Sequence, residues 1–293
     1  MAAQKINTLP LVVIAGPTAS GKTLLAIELA EKFGGEIICA DSRTIYKGMD
    51  IGTAKPTAQE RARVPHWGLD LVEPNQRYTA SDFKQYAEQK IGEIRARGHI
   101  PFLVGGTGLY IDAVIFNYQF GTESDPALRA ELEILTLKEL HEYCISNNIK
   151  LPENEKNRRY VVRAIEQNGQ STSRNSEPIS MSIIVGITTE RGVLRSRIEK
   201  RIEQLLQDGV VGEAILLGKK YGWNSEAMTG NIYPLVRKYI ENEMSIDEVK
   251  ANSTTADWRL AKRQLTWLKR NHFIEWRTLD DAYAYLAERL VNE

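Results

Sequence analysis

The stretch Gly16-Pro17-Thr18-Ala19-Ser20-Gly21-Lys22-Thr23 follows the spacing G-x-x-x-x-G-K-[ST]. Before it stands a short apolar run, Leu11 to Ala15. After it comes a helix-like segment over residues 22–33, with apolar Leu25, Ile27, Leu29, Ala30 and Phe33. A strand, a glycine-rich turn and a helix in that order separate a phosphate-binding loop from a chance match. Backbone N–H groups of such a loop, together with the positive end of the helix, cradle phosphate oxygens. Lys22 adds a point charge, and the Thr23 hydroxyl is placed to hold Mg²⁺. The loop predicts binding of a di- or triphosphate ester, with the rest of the ligand left open.

Working outward, Gly34-Gly35 stops the first helix and residues 36–39 read as a second strand running into Asp41-Ser42. Strand, helix, strand at this spacing is a βαβ unit and implies a parallel sheet. Residues 79–97 read as a helix, with Ser81 as N-cap and Gly98 just past its end. Residues 101–104 are a further buried strand that ends in Gly105-Gly106-Thr107-Gly108. The fold class is therefore α/β: a P-loop NTPase-like parallel sheet flanked by helices.

The pattern changes near Gln119. Residues 119–178 are polar and helix-like, with helices expected at 128–147 and 155–167 and a loop at 168–177, which is rich in Ser, Asn, Gln and Gly. This segment reads as a small helical insertion between core segments 1–118 and 179–293. Residues 182–187 return to strand character. Residues 190–208 carry Leu194, Ile198, Ile202 and Leu205 at helical spacing, and Gly209 ends that helix. Ser245 and Glu248 form a capping-box pattern, and residues 255–271 read as another helix. No internal repeat is visible.

The chain has 293 residues, enough for a full core. Its 38 basic and 38 acidic residues cancel, which excludes a wholly basic coat but not a local basic face. Cys39 and Cys144 are far apart and suggest no disulfide framework, so a reducing cytoplasm is expected. Lys5 and the run at 9–15 resemble a signal peptide only briefly, because the run leads straight into the glycine loop. No stretch approaches the roughly 20 apolar residues of a membrane span. A monomer is expected.

Three further segments carry chemistry. Asp41-Ser42-Arg43-Thr44 lies at the carboxyl end of the second strand, the edge where open α/β sheets bind ligands. Asp41 could bind Mg²⁺ through water or act as a general base; a turn cap is the alternative. Thr107 offers a hydroxyl at the same edge, among glycines that let a ligand approach or simply make a turn. Near the C-terminus, Arg259, Lys262, Arg263, Lys269 and Arg270 recur at helical spacing opposite Trp258, Ala261, Leu265 and Leu268. Such a face suits phosphate-backbone contact or is ordinary solvated surface. The insertion adds Lys156, Arg158, Arg159 and Arg163.

Together these segments resemble the tRNA dimethylallyltransferase family. The matching stretches are GPTASGKT at 16–23, ADSRTIYKGMDIGTAKP at 40–56, VPHWGLDLVEP at 64–74, YTASDF at 78–83, PFLVGGTGLYIDAV at 101–114, DPALR at 125–129 and LAKRQLTWLKR at 260–270. The resemblance implies transfer of a dimethylallyl group from dimethylallyl diphosphate to N6 of the adenosine 3′ to the anticodon, tRNA position 37. It implies that the loop from Gly16 to Thr23 holds the diphosphate of the prenyl donor, with Mg²⁺ on Thr23. By the same resemblance Asp41 is the base, Thr107 lies near the bridging oxygen, and Arg129 contacts substrate. Asp41, Ser42, Arg43, Thr44 and Thr107 face the tRNA. So do Asn157, Arg158, Arg159, Tyr160 and Val161 in the insertion, which grips the anticodon arm. Lys262 and Arg263 are expected to complete the RNA contacts, and Arg201, on the 190–208 helix, is expected as a second diphosphate or RNA contact.

The chain departs from the family pattern at 227–233, at Trp258-Arg259-Leu260, at Trp67 and in its short insertion. All of these lie away from the reacting groups, in parts that the resemblance assigns to RNA. Two other enzyme readings stand beside the leading one: a small-molecule P-loop kinase, and prenyl transfer to free adenine nucleotides. A non-enzymatic RNA-binding remnant is disfavoured by the intact Lys22, Thr23, Asp41 and Thr107.

Overall fold

Buried β-branched runs alternate with amphipathic helices along this chain, and that alternation builds a sheet covered on both faces. The computed structural model describes residues 9–121, 125–168, 173–230 and 232–292. Lys5, residues 169–172 of the expected loop and Asn231 lie outside the described residues. The chain divides into two compact units, one formed by Met1–Ile115 and Pro178–Glu293, the other by Phe116–Glu177.

The first unit contains a six-stranded, all-parallel sheet. Its strands are β1 (Leu11–Ala15), β2 (Gly35–Ala40), β3 (His66–Trp67), β4 (Ile100–Gly105), β5 (Ser182–Ile187) and β6 (Glu275–Arg277), in the order β3-β2-β4-β1-β5-β6. β1 is central: Val13 is in register with Leu103 on one side and Ile184 on the other. Every residue of β1, β2 and β4 is buried, as a doubly covered parallel strand requires. The strands expected at 11–15 and 182–187 appear with those bounds, and the other two are longer by a residue at each end. β3 and β6 have only two and three residues, too few for a periodicity to show.

Helix α1 (Lys22–Phe33) packs Leu25, Ile27 and Leu29 into the sheet core. After it come α2 (Ala58–Arg63), α3 (Ala80–Ala96) and α4 (Gly108–Ile115). The N-cap of α3 is Thr79, not Ser81: the Thr79 hydroxyl accepts from the Asp82 N–H, and the Asp82 carboxylate closes the box on the Thr79 N–H. At the start of β2 the buried Glu36 accepts a bidentate Arg97 and hydrogen bonds from His99 and Trp67. Burial opposes its ionisation, yet these partners outweigh it and hold the carboxyl at about 2.

The second unit is helical, with α5 (Pro126–Ile134), α6 (Leu137–Ser146) and α7 (Arg158–Glu166). One helix was expected over 128–147, but the chain breaks it at Leu135. There Thr136 caps α6 through a box with Glu139. Leu132, Leu140, Cys144, Val161, Val162 and Ile165 form this unit's own core.

The first unit closes with α8 (Arg191–Gln207), α9 (Val210–Tyr221), a 3₁₀ turn at Ala227–Thr229, α10 (Tyr233–Ile240), α11 (Ile246–Leu268) and α12 (Leu279–Val291). The Ser245–Glu248 capping box forms, and it opens the same helix that was expected only from residue 255. Helices α8, α9, α10 and α11 surround a second core around Met49, Ile198, Tyr233 and Ala261. Both cysteines are free and buried. Among the described residues, no helix is long and apolar enough to cross a membrane.

Candidate active site

The glycine loop joins β1 to α1 at the carboxyl edge of the sheet. β1 lies where the strand order turns, with β4 to one side and β5 to the other, and ligands of open α/β sheets sit at that crevice. Gly21 has φ 91 and no side-chain cap serves α1. The first-turn N–H groups of such a helix have no partner within it, so they remain free for an anion. Ala19 adopts φ 62, a conformation costly for a residue with a Cβ and concentrated at ligand sites.

Cations converge on the loop. Lys22 Nζ donates to the Pro17 carbonyl at 3.1 Å. Burial pushes its amine down to about 8; Asp41 pulls the other way, and Arg201 adds to the fall. Arg201, from α8, donates to Thr18 Oγ1 at 2.5 Å and to the Thr53 carbonyl at 3.3 Å. Its Nε is buried without a partner, and among the described residues it has no carboxylate partner. Arg197, one turn earlier, donates to the Ser20 carbonyl at 3.3 Å. A desolvated amine and a half-buried guanidinium beside unpaired amides form an anion site.

Asp41 and Thr107 meet at the same edge. Thr107 Oγ1 accepts from the Ser42 N–H at 3.0 Å, while the Thr107 N–H donates to the Ala40 carbonyl at 3.2 Å. Asp41 Oδ1 accepts from the Arg43 N–H at 2.8 Å, and Thr44 Oγ1 lies 3.4 Å from the Asp41 carbonyl. Asp41 is therefore also a turn cap, and its second oxygen is left for other work. Arg43 reaches the Glu226 carbonyl. Burial raises the neighbouring Cys39 thiol to about 12, which removes it as a nucleophile. Thr23 is half-buried and its hydroxyl has no partner among the described residues. Those residues hold no cluster of three or more His, Cys, Asp and Glu. Thr23 thus fits Mg²⁺ only in the open manner, with ligand phosphate oxygens completing the shell.

The block at 45–56 is tied to the loop through Arg201, which bonds both Thr18 and Thr53, and is itself held from two sides. Lys55 is buried and donates to the Tyr46 carbonyl, Asp50 and Asp70 at 2.6, 2.7 and 2.6 Å. The Glu213 carboxylate accepts from the N–H groups of Asp50, Ile51 and Gly52 and from the Tyr233 hydroxyl. Sequence reasoning missed Glu213, which acts across 160 or so positions and carries no local motif. It also missed Gln264, whose Oε1 accepts from the Thr18 N–H at 2.8 Å.

The expected RNA residues divide. Lys262 and Arg263 are exposed on α11 with Arg259, as are Lys269 and Arg270 just past its end, and none is in an ion pair among the described residues. Within the helical unit, Arg159 and Tyr160 point outward. Asn157 caps α7, and Arg158 donates to the Leu132 and Leu135 carbonyls at the end of α5. Val161 is fully buried, so its side chain supports the helix from within. Arg129 is paired with Glu166 and Glu133. In this unit the structural roles of Asn157, Arg158 and Val161 qualify the sequence expectation, which treated all five residues as one contact strip.

Loop, sheet order and edge residues define an α/β protein of the phosphate-binding-loop class. The family model described as IPP transferase matches residues 44–271, and that described as Isopentenyl transferase matches residues 9–65. The tRNA dimethylallyltransferase of Bacillus licheniformis is 36% identical, across 91% of this chain and 90% of that one. That of Streptococcus equi subsp. equi is 37% identical, across 93% of each. The solved tRNA isopentenylpyrophosphate transferase of Bacillus halodurans superposes with a TM-score of 0.74 at 33% identity, covering 97% of both chains. A eukaryotic dimethylallyltransferase acting on tRNA, 23% identical with a TM-score of 0.73, shares the fold. The chain belongs to the IPP transferase family.

Proposed function

We propose that this protein is a tRNA dimethylallyltransferase, acting in the cytoplasm on the adenosine 3′ to the anticodon, position 37. The observation that carries the reading is the convergence of Lys22, Arg201, Asp41 and Thr107 on one sheet edge beside uncapped helix amides. The family's curated relatives bear the same enzyme name.

In this reading the donor diphosphate lies in the loop from Gly16 to Thr23. The bond between the allylic carbon and the bridging oxygen breaks, with its electron pair leaving on the diphosphate. Lys22, Arg201 and the loop N–H groups stabilise that charge where it develops. Thr23 would hold Mg²⁺, which would supply further counter-charge. The adenine N6 lone pair forms the new N–C bond, and the Asp41 carboxylate takes the N6 proton. Thr107, fixed by the Ser42 N–H, stands at the same edge to meet the bridging oxygen. The base must leave its stack to reach this edge. The exposed cations of α11 suit an RNA backbone, and on the helical unit the exposed Arg159 and Tyr160 suit a phosphate and a stacked base.

The test is nucleoside mass analysis of anticodon-arm RNA after incubation with protein, Mg²⁺ and dimethylallyl diphosphate. N6-isopentenyladenosine and free diphosphate are the expected products. Transfer to adenine nucleotides in place of RNA, or phosphoryl transfer from ATP, would overturn the reading.

A further inference from the structure

We infer that Gln264 is a positioning residue that couples acceptor RNA on α11 to the donor-phosphate loop. The inference rests on the functional reading above and adds to it a residue and a direction of communication.

Gln264 sits on the inner side of α11, directly after Lys262 and Arg263, which point to solvent. Its Oε1 holds the Thr18 N–H at 2.8 Å. Thr18 is buried, and its hydroxyl is held at 2.5 Å by Arg201. Both ends of this one loop residue are thus clamped, one from α11 and one from α8. The amide end of Gln264 reaches the other active-site loop. A Cβ built on Gly106 would lie 2.4 Å from Gln264 Nε2, so glycine there is what admits the side chain. One turn on, Trp267 occupies the space a Cβ on Gly108 would need, at 2.0 Å from its ring, and donates to Asp112 at 2.6 Å.

A single helix face therefore touches the loop at 16–23 through Gln264 and the loop at 105–108 through Gln264 and Trp267. The opposite face of the same turns presents Lys262 and Arg263. Helices are stiff and packed contacts are steep, so the seating of α11 and the shape of the phosphate loop are one variable. A polyanion bound on Lys262 and Arg263 favours one seating, and a diphosphate in the loop favours the geometry that Gln264 holds. By linkage each then tightens the other by the same factor.

The experiment measures binding of inorganic pyrophosphate with Mg²⁺ to the full-length protein by calorimetry. It is done without RNA and with saturating anticodon-arm RNA in which the target adenosine is guanosine, so that no transfer occurs. In the wild type, RNA is expected to tighten pyrophosphate binding about fivefold or more. In Gln264→Met, which keeps the volume and removes the acceptor, the tightening falls below about twofold, while RNA affinity alone is unchanged because Lys262 and Arg263 remain. Gln264→Glu keeps an oxygen for the Thr18 N–H and retains most of the coupling. Equal coupling in Gln264→Met and wild type, or no coupling in the wild type, would overturn the inference. The second outcome needs no variant, so it survives a folding failure. Absence of isopentenyladenosine from wild-type reactions with adenosine-containing RNA would instead overturn the functional reading alone.

Discussion

Lys22 is where burial and function oppose each other most directly. A lysine amine desolvated to about 8 is partly neutral near physiological pH, yet it must be charged to meet a diphosphate. A bound polyanion restores the charge by raising the amine's pKa. The free-enzyme amine is protonated below about 8 and loses its proton above it. Pyrophosphate affinity should therefore fall by up to about tenfold per pH unit above that point. Calorimetric titrations from neutral pH upward check this against Lys22→Arg, whose guanidinium stays charged. The difference between the two profiles isolates Lys22 from titration of the ligand. Equal profiles would show that Lys22 is charged throughout. Asp41 answers a different question, because its Oδ1 is occupied by the Arg43 N–H and its other oxygen is the candidate base. Asp41→Asn preserves the turn and removes the proton acceptor. Transfer should fall by about 10²–10⁴-fold with donor binding retained, as read by single-turnover kinetics and pyrophosphate titration. Unchanged turnover would leave Asp41 a turn cap only.

Among elements, α11 does two jobs with two faces. Ala261 and Leu268 are buried, Gln264 and Trp267 reach inward, and Lys262 and Arg263 are exposed, as is Lys269 at the C-cap. Changing Lys262 and Arg263 together to Ala should weaken anticodon-arm RNA binding most at low salt. The slope of log affinity against log salt should drop by about 1.4–1.8 for two phosphate contacts. Binding measured by filter retention across a salt series checks it, and an unchanged slope would make the face solvated surface. This helix also marks how far sequence reading reached. Its charged and apolar stripes were legible because they repeat at 3.6 residues. Its start was marked by the Ser245–Glu248 capping box, but its continuity from there to residue 255 was not legible, because that segment is too polar to show a stripe. The loop at 16–23, β1 and β5 were legible for the same local reasons. Glu213 and Gln264 were not, because their partners lie far along the chain and no spacing announces a backbone N–H as a ligand. The short strands β3 and β6 exist only by virtue of neighbours that supply their hydrogen bonds.

For the whole molecule, the two units have separate cores: one spread over the sheet and C-terminal helices, the other around Leu140 and Val161. The chain leaves the α/β unit at Ile115 and re-enters at Pro178, and the Ile179 N–H donates to the Ile115 carbonyl at 2.7 Å. The exit and the return are therefore adjacent, so a short linker can close the gap without distortion, and shortening a loop lowers its closure entropy. None of Lys22, Arg201, Asp41, Thr107 or Gln264 belongs to the excised stretch. Replacing residues 116–177 by a few glycines should leave a folded α/β unit with an unfolding free energy within about 1 kcal/mol of the parent. Pyrophosphate binding should persist. Transfer to anticodon-arm RNA should fall by at least about 100-fold, the loss expected when positioning contacts for the acceptor are removed and the chemical groups are kept. Calorimetry and nucleoside mass analysis on the same preparation separate the two effects. Full transfer by the shortened chain would assign acceptor recognition to the α/β unit and its α11 face. Loss of pyrophosphate binding together with transfer would show that the donor loop depends on the helical unit for its shape.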